Sequence, residues 1–179
     1  MSHKKLAKYL VYQFAVLFFS VILAIFIKPE GLNANNGVSY YFVQIETALV
    51  VTIGFCTASF LSFYAGWRLN PKTKLDKTIR TCLFIAAVCY VGLVLTPHDV
   101  IAQIHKTFGS SLFGLEFLLA YFCAVALRKR LDILLFLITY FSGMMCLVYL
   151  FVSGYMIQAQ LIFQLAAWTL YIRYLLIKK

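Results

Sequence analysis

Leu127-Arg128-Lys129-Arg130-Leu131-Asp132 separates two apolar runs, residues 108–127 and 131–152. Each run has about the 20 apolar residues that a helix needs to cross a hydrocarbon core of roughly 30 Å. Three consecutive cations leave room for only a tight turn, so the two helices are antiparallel neighbours. Lys and Arg in short loops are retained on the cytoplasmic side, so this turn faces the cytoplasm.

Working outward, four more runs qualify or nearly qualify, at residues 9–27, 41–67, 81–96 and 155–177. The second is long enough to tilt or to begin among headgroups. The third is the shortest and needs its flanks to complete a crossing. The runs are continuous, whereas strands of a membrane barrel alternate in hydropathy. The reading is therefore all-α: a single polytopic membrane domain over residues 1–179, a bundle of six transmembrane helices with both termini cytoplasmic.

Composition agrees. The chain is 63% hydrophobic and only 12% charged, with a mean hydropathy of +0.88, well above a globular domain. The net charge of +10 would suggest nucleic acid in a soluble protein. Here the cations sit in short loops and at the termini, so orientation and attraction to anionic headgroups are the better reading, and no nucleic-acid partner is expected. With the N-terminus inside, fourteen of the sixteen Lys and Arg residues fall on the cytoplasmic side and only Lys28 and Lys106 fall outside. The inner set includes Arg68, Lys72, Lys74, Lys77 and Arg80 in one basic loop, Arg128, Lys129 and Arg130 in the turn, and Lys178 and Lys179 at the end. These loops are expected to touch anionic lipid in the cell membrane. The first apolar run is too long for a signal-peptide core and no small-residue cleavage site follows it, which reads as an uncleaved first span.

The five cysteines lie in or beside apolar runs, form no CxxC pair and read as packing residues. Ser110-x3-Gly114 and Ala120-x3-Ala124 in the fourth span, with Ser142-Gly143 and Ser153-Gly154 bracketing the fifth, have the spacing of close helix contacts.

The polar residues carry what functional signal there is. Glu116 lies roughly 8 residues into the fourth span, about 12 Å along its axis. A carboxylate at that depth faces the bundle interior, is neutralised, or has a partner. If the segment from His98 onward is helical, with Pro97 as an early helix residue, His98, His105 and Glu116 fall within about 20° of one face. Ser39, Glu46 and Thr57 repeat the same intervals along the second span, so the second and fourth spans, facing each other, would form an outward-facing pocket lined by Ser39, Glu46, His98, His105 and Glu116. Each residue also has a plainer account. Glu116 can fix packing, Glu46 can sit at the interface, the histidines can be solvated, and Ser39 can cap the second helix.

Two histidines and a carboxylate form a sound zinc set, so a metal-dependent lipid hydrolase using His98, His105 and Glu116 is one expectation. There is, however, no HExxH, and seven residues is not a usual ligand spacing. Buried Glu and His also suit a small proton-coupled carrier, although no inverted repeat is visible. Serine-hydrolase and phosphate-loop motifs are absent. Binding of a lipid or small ligand, or a structural role in the membrane, is the leading expectation, without an enzymatic activity and without a required cofactor.

The stretches Asn36-Gly-Val-Ser-Tyr-Tyr41, Gly92-Leu-Val-Leu-Thr-Pro97 and Ile104-His105-x3-Gly109 resemble a bacterial domain-of-unknown-function family of six-helix membrane proteins, loosely DRAM-like. The resemblance implies the same fold, a serine in the outer segment after the first helix, here Ser39, and an outer histidine opening the fourth, here His105. The chain is also similar in outline to the intramembrane ceramidase-like hydrolases, whose pattern has Ser, Asp and three His ligands and usually seven spans. It departs from them in having six spans and no His after His105.

Overall fold

The computed structural model describes residues 3–34, 36–149, 152 and 154–177. Asn35, Ser153, Lys178 and Lys179, and part of the expected end of the fifth span, lie outside the described residues. Seven α-helices follow one another: α1 (His3–Ile27), α2 (Ser39–Phe42), α3 (Ile45–Arg68), α4 (Lys74–Leu95), α5 (Ala102–Leu127), α6 (Arg130–Val148) and α7 (Met156–Ile177), with a 3-10 turn at Pro29–Asn33. All but α2 are long and apolar enough to cross a membrane. No strand occurs among the described residues. This is an all-α bundle of six such helices, as the apolar runs predict, and it fits a multi-pass integral membrane protein.

The boundaries differ from the apolar runs where local chemistry intervenes. Polar residues extend the third span backwards: Thr73 accepts from the Asp76 backbone N–H while the Asp76 carboxylate accepts from that of Thr73, a capping box that starts α4 at Lys74. The expected shortest span is thereby 22 residues long. The second span does not begin at residue 41. The chain breaks at Val43 and Gln44, with Gln44 extended (φ −91, ψ 123), so α2 is a separate single turn. Ser39 therefore leaves the stripe it was expected to share with Glu46 and Thr57. Likewise His98 and Pro97 lie in a turn, and α5 starts only at Ala102. The helical continuation from His98 is not formed.

α1, α3, α4, α5 and α7 close into a ring through successive contacts, and α6 packs on α5 and α7. Short connections make sequence neighbours antiparallel, gathering the basic loops at one end and the 28–44 and 96–101 segments at the other. Large apolar side chains such as Phe19, Phe26, Leu49, Phe60 and Phe141 point out of the bundle. This inversion of a soluble protein is stable because lipid solvates apolar surface as well as a core would. Small residues line the contacts: Ala58, Ala120, Ala124 and Ala167 are buried, and Gly143 lies against Phe163. The Ser110-x3-Gly114 pair is a correction, since both residues are exposed and a Cβ on Gly114 would meet nothing within 4 Å. Gly92 is the sharper case of close approach, because a Cβ there would fall 2.6 Å from three ring carbons of Phe108. That contact sets the spacing of α4 and α5.

Two carboxylates, Asp76 and Asp132, are fully buried at the basic end. Asp132, in the first turn of α6, accepts from Arg173 Nε on α7 at 2.7 Å. Asp76 adds a contact to His3 Nε2 at 3.2 Å beyond its cap, tying the start of α1 to that of α4. Arg68, Lys72, Lys74, Lys77, Arg128, Lys129 and Arg130 are exposed there and Arg80 is half-buried, with Arg68 and Arg80 lying over the rings of Tyr64 and Phe84.

Candidate functional site

The segment after α1 reaches back over the bundle. Gly37 adopts φ +56 and sits directly against the Gln160 amide of α7, a conformation and a proximity that both exclude a side chain. The next N–H, of Val38, donates to Gln160 Oε1 at 3.0 Å. This clamp aims the first residue of α2, Ser39, into the bundle. The Ser39 hydroxyl does not cap a helix. It lies 2.7 Å from His105 Nε2 on α5.

His105 is 2% exposed, and its other ring nitrogen, Nδ1, is 2.5 Å from the carbonyl oxygen of Thr96 at the end of α4. A carbonyl can only accept, so Nδ1 carries the proton and the neutral ring presents the Nε2 lone pair to Ser39. The Ser39 hydroxyl therefore donates. Phe42 and His98 present rings to the imidazole at centroid distances of 6.2 and 5.7 Å, at 73° and 89° to its plane. Beside the pair, Tyr41 is buried against Gly31. Burial pushes its phenol up to about 12, so it stays neutral.

Ser39 borders a cavity of about 110 Å³. Its walls are apolar, from residues such as Leu17, Val21, Phe55, Leu93, Leu112 and Phe113, and its polar residues are Ser39, Gln160, Gln164 and Tyr90. The last two lead to Glu116. That carboxylate, 2% exposed, accepts from Gln164 Nε2 at 2.5 Å and from Tyr90 O–H at 3.4 Å. Trp168 Nε1 in turn donates to Gln164 Oε1 at 2.8 Å, and the Tyr171 hydroxyl donates to the Glu116 carbonyl. A carboxylate in the bundle is thus held by donors from α4 and α7, as its depth requires.

The five residues expected to line one pocket are therefore sorted. Ser39, His98 and His105 come together. Glu116 shares a helix face with His105 but is eleven residues away, about 16 Å along the axis. Glu46 leaves the group: its side chain is 58% exposed and pairs with Lys28 at 3.2 Å. The second and fourth spans are separated by α4, which packs on both. His98, His105 and Glu116 do not converge, and no three His, Cys, Asp or Glu side chains gather as a metal set among the described residues. Sequence reasoning missed Gln160 and Gln164. Both are amides within an apolar run, and Gln164 lies nearly as deep in its run as Glu116 does.

Fold and site together define a class: a multi-pass helical membrane protein with a part-buried Ser–His contact beside an apolar cavity. No protein family, curated protein or solved structure matches the chain.

Proposed function

We propose that this chain binds a lipid or a small amphiphile, with the first carbons of its apolar chain in the cavity, the rest of that chain among the surrounding lipid, and its polar end at the Ser39–His105 side. One observation carries the reading: a cavity of about 110 Å³ with apolar walls and a few polar groups in its lining. That is the general composition of a small-ligand site. It is also the scale of the ~150 Å³ engineered cavity that takes up benzene. In this reading the segments 28–44 and 96–101 face outward, and the basic end rests on anionic headgroups at the cytoplasmic face of the cell membrane. The exposed cations there support it, each attracting such a surface by about 1 kcal/mol.

The test uses purified full-length chain and a pyrene-labelled long-chain alkyl ether, which has no cleavable ester. Saturable binding to the wild type is expected, and Gly109→Leu should weaken it at least tenfold. Gly109 lines the cavity and a Cβ there meets only Leu93, at 3.7 Å, so Leu fills the space while improving helix propensity. Equal binding by wild type and Gly109→Leu would remove the cavity from the account.

A further inference from the structure

We infer that Ser39 is an acyl-accepting nucleophile with His105 as its general base, and that the chain cleaves the carboxylic ester of a long-chain acyl lipid; this rests on the binding reading above.

The first ground is the exceptional partner of this hydroxyl. Other Ser and Thr hydroxyls that donate among the described residues give their proton to backbone carbonyls, as in Ser59 to Ala87, Thr139 to Leu135 and Ser142 to Ile138. Such bonds satisfy a hydroxyl inside a bundle without any further consequence. Ser39 instead donates to an imidazole at 2.7 Å, the distance at which a base takes a proton from a nucleophile.

The second ground is the order of the parts. A nucleophile needs a base, and the base needs a third group that fixes its tautomer. Here the Thr96 carbonyl fills the third role at 2.5 Å. His105 is buried behind Ser39, and Ser39 borders the cavity. The hydroxyl thus stands between its base and the space where a substrate would lie. Gln160 supplies the remaining element. Its oxygen is taken by the Val38 N–H, which leaves its amide N–H₂ as the end that can donate, in the same cavity lining as Ser39. Amide donors stabilise the oxyanion of acyl transfer, and Gln160 Nε2 is the group assigned to that role.

The step balances with water as the co-reactant. Ser39 Oγ forms a bond to the ester carbonyl carbon as its proton passes to His105 Nε2, and the carbonyl becomes an oxyanion facing Gln160. Collapse breaks the ester C–O bond, and the Nε2 proton leaves on the alcohol. Water then attacks the acyl-serine, gives a proton to Nε2, and the C–Oγ bond breaks. Oγ recovers that proton and the carboxylic acid departs.

The experiment exposes the full-length protein in nanodiscs to hexadecyl fluorophosphonate, whose phosphorus accepts a serine oxygen with loss of fluoride. Intact mass and peptide mapping give the result. One adduct per chain at Ser39 is expected, absent in Ser39→Ala and formed at least about 100-fold more slowly in His105→Gln. Binding of the pyrene ether is measured on the same samples and serves as the check on folding. Ether binding without an adduct, or with the adduct elsewhere, overturns the nucleophile and leaves the binding reading standing. An adduct at Ser39 formed as fast in His105→Gln overturns the role of the base. Failure of both ether binding and adduct formation in the wild type removes the inference together with the reading beneath it.

Discussion

Two polar clusters occupy opposite ends of this bundle, and they are built for different ends. At the basic end Asp76 and Asp132 are wholly buried, yet each is accounted for by architecture: a capping box and a histidine for one, an arginine from the next helix for the other. At the other end Ser39 and His105 also bond each other, but the hydroxyl borders a cavity. Burial of a polar group alone therefore marks nothing. A polar pair with empty space on its reactive side is the feature that separates a site from a strut.

The comparison breaks most visibly at Arg173. Replacing it by Met strands the Asp132 carboxylate, whose second oxygen has no hydrogen-bond partner among the described residues. The expected cost is about 3–5 kcal/mol, read as a lower unfolding midpoint in mixed micelles. The folded fraction should still bind the pyrene ether normally, and loss of binding beyond loss of fold would join the two ends. A smaller effect is expected at Gly92→Ala, where the new methyl group meets the Phe108 ring. Overpacking costs about 1–3 kcal/mol. Because α4 carries Thr96 and α5 carries His105, adduct formation at Ser39 should also slow, whereas Arg173→Met leaves that rate unchanged in folded protein. Smallest is Arg128→Gly. Arg128 closes α5 at φ +53, a left-handed conformation that Gly adopts without strain. Relief of the left-handed strain, about 1–2 kcal/mol, outweighs the roughly 0.4–1 kcal/mol lost to a freer unfolded chain, so a small net gain is expected in the same unfolding measurement, with no change at the site.

The apolar runs and the basic turn carried the six spanning helices, because a bilayer imposes length and continuity on every crossing. Breaks inside a run were not legible. Nothing in Ser39-Tyr-Tyr-Phe-Val-Gln-Ile45 announces that the chain turns at Val43–Gln44, since all these residues tolerate either conformation. Placing that stretch on one helix put Ser39 on a stripe with Glu46. In the fold the turn separates them, bringing Ser39 to His105 and leaving Glu46 to Lys28. The depth of Glu116 was readable from its position alone. Its donors were not, because Gln164 and Tyr90 come from helices 48 and 26 residues away, and sequence spacing does not say which helices meet. Ser39 and His105, 66 residues apart, were both suspected, but the bond between them belongs to the tertiary structure.

The Asp132–Arg173 pair also has a place in time. The two residues are 41 positions apart, and ribosomes add about 5–20 residues per second. The carboxylate therefore reaches the membrane some 2–8 s ahead of its cation. During that interval α6 has only α5 to lean on. A slow codon or a stalled ribosome between the two helices would prolong the exposure and give membrane chaperones and quality-control proteases more time on the nascent chain.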